Sequence, residues 1–261
     1  MKILEGKHAV VFGAGGSLGA AVAIEFAAAG ARVFASGRTR STLDNVVKKI
    51  TTDGGCAMAA EVDALDDAAV TAYLDTVAQQ AGRIDVVYNA SGPRATEYAN
   101  GRPALESTVQ QFMLPMTTIV KSNFITARAA ARHMIRQRSG VILFVTGSPA
   151  RGHVPGATAI GAAFGALENL TENLAIEVGP FGVRVVCLRT LANLDSRTIK
   201  ESMAALNVDM DQASMQFANS TFLKTTAGVS DTAKAAVLLT SDAARMWTAT
   251  VVNQTAGAAP S

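Results

Sequence analysis

The chain has 261 residues, 49% of them hydrophobic and 17% charged, against roughly 25% charged in an average domain. That composition supplies a large core and excludes a disordered chain; the length allows one or two domains, and α/β architectures often run to about 250 residues as one. With 23 basic and 21 acidic residues the net charge is +2, and no Lys/Arg run forms a stripe that follows a phosphate backbone, which argues against nucleic acid as a partner.

The elements alternate along the chain, short β-branched runs with longer helical patterns, as in βαβ units with a parallel sheet covered on both faces. Strands are predicted at His8–Phe12, Arg32–Ala35, Cys56–Val62, Ile84–Tyr88, Val141–Val145, Val183–Leu188 and Thr250–Asn253, each an apolar run suited to a doubly covered strand. Helices are predicted at Leu18–Ala29, Thr42–Thr52, Asp66–Gln80, Thr117–Gln137, Thr158–Val178 and Asp231–Leu239, the first stopped by Gly30. Met1-Lys2 and the apolar stretch behind them resemble a secretory leader only superficially, because Glu5, Lys7, the glycines at 13, 15, 16 and 19, and Glu25 interrupt it. No uncharged apolar run free of such glycines reaches the ~18 residues of a membrane helix, so the expectation is a soluble, cytoplasmic protein that makes no membrane contact.

Two stretches break the alternation, Pro93–Pro115 and Leu191–Gly228. Both follow the C-terminal ends of strands, where ligands bind in an open α/β sheet. The chain is therefore predicted to form a single Rossmann-type domain over residues 1–261, with a substrate lid around 191–228. Cys56 and Cys187 lie far apart and read as small buried apolar residues, not as a disulfide. His8, His133 and His153 are widely spaced and none adjoins a Cys or a carboxylate cluster, so no metal site is predicted.

After the first strand comes Gly13-Ala14-Gly15-Gly16-Ser17-Leu18-Gly19, which opens a helix. Glycines here let the backbone turn tightly and approach a pyrophosphate, which sits on amides at a helix N-terminus. The second strand ends in Ser36-Gly37-Arg38; an acidic residue there would bind a ribose 2′-hydroxyl, whereas an arginine accommodates a 2′-phosphate. Arg38, with Arg40 able to share the contact, therefore predicts NADP(H) in preference to NAD(H). Asp63, closing strand three, and Asn89-Ala90-Ser91-Gly92, closing strand four, are predicted to line the adenine and ribose side.

From about residue 6 to residue 255 the chain resembles a classical short-chain dehydrogenase/reductase. The glycine motif is matched at Gly13 and Gly19, with Ser17 in place of the middle glycine; the family's adenine aspartate falls on Asp63 and its Asn-Asn-Ala-Gly motif on Asn89–Gly92. Ala166–Thr171, Gly182–Val185 and Leu239–Ala244 resemble later family segments. The resemblance implies a doubly wound α/β fold with a seven-stranded parallel sheet, a nicotinamide nucleotide, oxidoreductase activity on a small molecule, and a homotetramer or homodimer.

The resemblance fails where the chemistry should be. Family members use a Tyr-x-x-x-Lys pair, a serine and a helix asparagine; aligned on this chain those positions hold Ile160 and Phe164, Gly147, and Ile119. Four residues beyond Tyr73, Tyr88 and Tyr98 stand Val77, Gly92 and Arg102, so no Tyr-x-x-x-Lys occurs. Thr190-Leu191 takes the place of the family's Pro-Gly. Since a positioned acid or base contributes about 10² to 10⁴ in rate, and an oxyanion partner a further 10² to 10³ or so, two readings stand. One is an NADP(H)-dependent oxidoreductase with a non-standard proton donor, His153 or Ser148, acting on an apolar small molecule; the other is a non-enzymatic nucleotide-binding pseudoreductase with a regulatory or assembly role. Each donor has a plainer alternative, a solvated loop histidine and a turn-capping serine. Lys121 and Asn123 near the missing asparagine read as interface or surface residues, Arg94 as an acid-binding or solvated residue, and Met113, Met116, Met203, Met210 and Met215 as pocket lining or core.

Overall fold

In the computed structural model of this chain, residues 2–152 and 154–259 are described. Seven strands, β1 (His8–Phe12), β2 (Arg32–Gly37), β3 (Cys56–Glu61), β4 (Val86–Asn89), β5 (Gly140–Gly147), β6 (Val183–Thr190) and β7 (Thr250–Gln254), form one sheet in the order β3-β2-β1-β4-β5-β6-β7. Every neighbouring pair is parallel.

Alternation along each strand sends side chains to two separate cores. Val10 and Phe12 of β1 join Ile142 and Phe144 of β5 on one face, against Leu74 of helix α3 (Asp67–Ala81), Met134 of α5 (Lys121–Gln137) and Leu167 of α6 (Thr158–Val178). Ala9 and Val11 point the other way, toward Phe26 of α1 (Ser17–Ala28), Leu43 of α2 (Arg40–Thr52) and Ala233 of α9 (Val229–Thr240). The chain reverses its direction of winding between β1 and β4, which opens a crevice at the C-terminal ends of those strands.

The predicted strands all form, with one departure in their setting. β3 lies at the sheet edge and alternates between exposed and half-buried residues, so it is not doubly covered, and Cys56 is exposed where a buried residue was expected. Strand pairing and helix α2 protect only part of it, and the side chain of Arg32 reaches across to the Met58 sulfur at 3.2 Å. Cys187 is buried as expected.

The two irregular stretches contain helices beyond those predicted. Between β4 and α5 come short turns at Ala95–Tyr98 and Ala104–Glu106, then helix α4 (Val109–Pro115). A π-turn at Met116–Val120 joins α4 to α5, so the helical run starts eight residues before the predicted Thr117. Thr108 caps α4 by a reciprocal bond with Gln111, a start signal hidden by Pro115. Proline inside a helix removes one ladder donor, and the widened turn behind it absorbs the break while Thr117 and Thr118 return hydroxyls to Met113 O and Leu114 O. Between β6 and α9 lie α7 (Arg197–Ala205) and α8 (Met210–Ser220), capped by Ser196 and Asp209. No described helix is long and apolar enough to cross a membrane.

Candidate functional site

The crevice is a cleft of about 940 Å³ running from the glycine turn to the segment between β6 and α9. Its first end is built by backbone. Gly13 sits at φ +71°, and a Cβ there would stand 2.8 Å from Ala90 C and Ser91 N of the neighbouring strand end. A Cβ on Gly19 would press into the Gly13 carbonyl oxygen, and one on Gly15 into the Thr42 hydroxyl. The turn closes through Gly16 N–H to Gly13 O at 3.0 Å, and Ala14 N–H reaches Ser36 O at 3.0 Å. No side chain caps the N-terminus of α1, which leaves its first amides directed at the cleft. Gly13, Gly15, Gly16, Ser17, Leu18 and Gly19 all line it.

Arg38 is exposed at the rim, beyond Gly37, and has no ion-pair partner among the described residues. Arg40 is differently placed: its Nε donates to Asp44 at 2.8 Å one helical turn on. Asp63 lines the same end, one carboxylate oxygen accepting from Leu65 N–H at 3.0 Å. Asn89, Ala90 and Ser91 all line the cleft, and the Asn89 side chain is spent on the scaffold. Its amide donates to Ser122 and Thr126 of α5 at 3.3 and 3.2 Å and its oxygen accepts Ser91 N–H at 2.8 Å, so it fastens β4 to α5.

At the other end the four residues that the resemblance aligns with the catalytic set come together as an apolar wall. Ile119, Gly147, Ile160 and Phe164 all line the cleft. Their volumes fit one another: a Cβ on Gly147 would lie 3.1 Å from the Phe164 ring, and a Cβ on Gly92 would lie 3.4 Å from the Ile119 side chain. Ser148 is buried and lines the cleft, but its hydroxyl does not cap the turn Ser148–Ala150, and it has no hydrogen-bond partner among the described residues. His153 lies outside the described residues.

The minor candidates separate. Lys121 is exposed, whereas Asn123 is buried and lines the cleft, contrary to a surface role. Asn123 Nδ2 donates to Ile119 O at 2.9 Å, which fixes the amide orientation and leaves Oδ1 sealed without a partner. Arg94 binds Glu201 of α7 at 3.2 Å. Of the five methionines only Met203 lines the cleft; Met113 and Met215 are exposed, so neither core nor lining describes them. Leu206, Val208 and Phe217 of the β6–α9 segment supply the apolar cover instead. That segment touches the glycine turn directly, Arg197 N–H donating to Ser17 Oγ at 3.0 Å.

Sequence reasoning passed over two features. Beneath the apolar wall lies a buried ion pair: Arg189 of β6 grips Glu168 of α6 through Nε at 2.8 Å and a second nitrogen at 2.9 Å, while Thr146 and Arg151 add bonds at 3.0 and 3.3 Å. Burial alone would push the Glu168 carboxyl up, but the bonds and charge of Arg189, with Thr146 and Arg151, outweigh it and hold the group below its ordinary range. The helical spacing of Glu168 from Phe164 was the available signal. The second is Tyr98, the one tyrosine that lines the cleft among the described residues. No group of His, Cys, Asp and Glu among the described residues is arranged to hold a metal ion.

Comparison with known proteins places this geometry. Residues 7–205 match the short chain dehydrogenase family. The short-chain reductase protein NovJ of Streptomyces niveus is 35% identical over 177 residues, 68% of this chain and 65% of that one. The 7alpha-hydroxysteroid dehydrogenase of Escherichia coli K12 is 29% identical over 182 residues, 70% of this chain and 69% of its own, so the chain spans about two thirds of these curated relatives. A solved 7 alpha-hydroxysteroid dehydrogenase, complexed with NADH and 7-oxo glycochenodeoxycholic acid, superposes with a TM-score of 0.86 at 25% identity, covering 98% of this chain and 96% of that one. A short-chain dehydrogenase/reductase structure from Burkholderia xenovorans reaches 0.90 at 22% identity, covering 99% and 98%, a likeness of fold.

Proposed function

This chain belongs to the short-chain dehydrogenase/reductase family, and from that premise we propose that it binds NADP(H) in preference to NAD(H) and is an oxidoreductase of atypical chemistry acting on an apolar small molecule. The observation that carries the nucleotide preference is Arg38. It stands exposed beside the glycine turn and without an ion-pair partner among the described residues, while Arg40 is engaged by Asp44. A guanidinium with its donors unspent suits a 2′-phosphate, to which it can bond in bidentate fashion.

The residues present fit such a nucleotide. Gly13 and Gly19 let the turn close tightly against its own main chain, where neither leaves room for a side chain, and the uncapped start of α1 offers its amides. The bound nucleotide would supply hydride chemistry. At the reacting end Ile119, Gly147, Ile160 and Phe164 move no proton, so proton donation falls to Ser148, whose hydroxyl has no hydrogen-bond partner among the described residues, or to His153.

Titration with NADPH and NADH, read by nicotinamide fluorescence, tests the reading. We expect NADPH to bind at least tenfold more tightly, and Arg38→Ala to remove most of that difference while leaving NADH unchanged. Equal affinities would overturn the preference. Turnover with a panel of ketones, aldehydes and quinones tests the activity, and tight binding with no turnover across the panel would replace the oxidoreductase reading with a pseudoreductase.

A further inference from the structure

Tyr98 lies at the end of the short turn Ala95–Tyr98, in the loop that follows β4. Its ring is 6% exposed and packs in the same core cluster as Ala95, Ile119 and Ile160. Its hydroxyl makes no hydrogen bond within the protein among the described residues. Nor is it sealed: the enclosed, unpartnered atoms include Tyr88 Oη and Asn123 Oδ1, but Tyr98 Oη is not one of them. Tyr98 lines the cleft with its ring buried, so the cleft is where a partner for that hydroxyl could stand.

The loop holds it there at a cost. Ala99, the next residue, sits at φ 55°, the left-handed region, which costs a non-glycine residue about 1 kcal/mol or more. Several bonds fix the conformation: Asn100 N–H to Ala95 O at 3.2 Å, Gly101 N–H to Gly156 O at 2.9 Å just before α6, and Asn100 Nδ2 to Ser202 of α7 at 3.2 Å. The loop that carries Tyr98 is thereby tied to the segment before α6 and to α7. A polar group in such surroundings is costly to leave unpaired, and a ligand oxygen would pair it.

We propose that this end of the cleft binds an apolar small molecule carrying one oxygen acceptor, a ketone or aldehyde carbonyl, and that Tyr98 Oη donates the hydrogen bond holding that oxygen. Ile119, Ile160 and Phe164 take the hydrocarbon part. Burial pushes the Tyr98 phenol up to about 12, so the donor proton is retained across the neutral range. The assignment rests on the oxidoreductase reading for its place in a reaction, but the binding event does not need turnover.

The test uses 1-tetralone and its oxygen-free counterpart tetralin as probes, titrated by ligand-detected NMR into wild-type protein and Tyr98→Phe, each saturated with NADP+ so that no reduction occurs. Tyr98→Phe should weaken tetralone about tenfold and leave tetralin unchanged. Equal tetralone affinity in the two proteins, an equal fall for both probes, or no tetralone binding to the wild type would overturn the proposal. Should the variant melt several degrees lower, tyrosine Cζ-labelled wild-type protein decides: one of its three tyrosine signals must shift with tetralone and not with tetralin. NADP+ binding, followed on the same samples, reports separately on the nucleotide reading, so its failure is not confused with failure at Tyr98.

Discussion

The two ends of the cleft are specified by different parts of the chain. At the glycine turn the backbone is the site, and what matters is the absence of side chains: Gly13 and Gly19 sit where any Cβ would strike main-chain atoms of the same turn or of the strand beside it. At the far end the side chains are the site, and Gly147 with Phe164, or Gly92 with Ile119, divide a fixed volume between them. Backbone-built sites tolerate no substitution without moving the chain, whereas volume-sharing sites admit exchange if both partners change. That difference lets the apolar end vary while the glycine turn stays fixed.

The far end does need a rigid floor, and the sharpest way to break it is through Glu168. Glu168 and Arg189 are 1% and 2% exposed, bonded at 2.8 and 2.9 Å across α6 and β6. Removing one member of a buried pair costs roughly 3–5 kcal/mol, whereas replacing both by apolar residues of like volume is often far milder. Glu168→Ala should therefore lower stability by about that amount in chemical denaturation, and Glu168→Leu with Arg189→Met should recover a good part of it. The pH sign follows from the direction of the shift. A carboxyl whose folded pKa lies below its unfolded value contributes stability that is fully present above the unfolded pKa and is lost as pH falls through the folded one. Wild-type protein should thus lose stability more steeply on acidification than Glu168→Ala, and parallel acid limbs would remove the ion pair from the account.

The nucleotide end should fail differently. Gly19→Val places a branched side chain against the Gly13 carbonyl oxygen inside a buried turn, and overpacking of this kind typically costs 1–3 kcal/mol. Because the turn must shift to relieve it, nucleotide binding should fall by a larger factor than stability alone accounts for, at least a hundredfold by direct titration. Retained nucleotide affinity in a folded Gly19→Val protein would mean that the turn does not carry the site.

Sequence legibility divides along the same line. Glycine spacing, strand runs and Arg38 are local signals, and β1, α1 and the end of β2 stand where they predicted. What escaped depends on partners distant in sequence. Asn89 lines the cleft, yet its amide is spent on Ser122 and Thr126, more than thirty residues away; nothing in Asn-Ala-Ser-Gly announces that. Helices α7 and α8 follow clear caps at Ser196 and Asp209 and have distinct apolar faces, but at nine and eleven residues they are short and lie inside a stretch read as a single lid. Cys56 misled because an apolar run does not reveal whether its strand is central or at the edge. Tyr98 did not stand out because its place on the cleft wall depends on bonds from Asn100 and Gly101 to segments distant in sequence.

The smallest effect is also the most discriminating. Gly147→Ser alone adds a Cβ 3.1 Å from the Phe164 ring and 3.4 Å from Pro149 Cδ, contacts tight enough to need a small displacement of the ring and worth about 1 kcal/mol of overpacking. Phe164→Lys alone empties the space beside Gly147 and places an ammonium against the apolar wall. The two together should be less destabilising than the sum of the singles, a coupling of roughly 0.5–1 kcal/mol in a double-mutant cycle of thermal or denaturant unfolding. Neither change reaches the glycine turn, so NADPH affinity should stay within about twofold of wild type throughout the cycle. Strict additivity would show that volume sharing does not govern this end; loss of nucleotide affinity would show that the two ends are one site, and that the apolar wall is part of how the nucleotide is held.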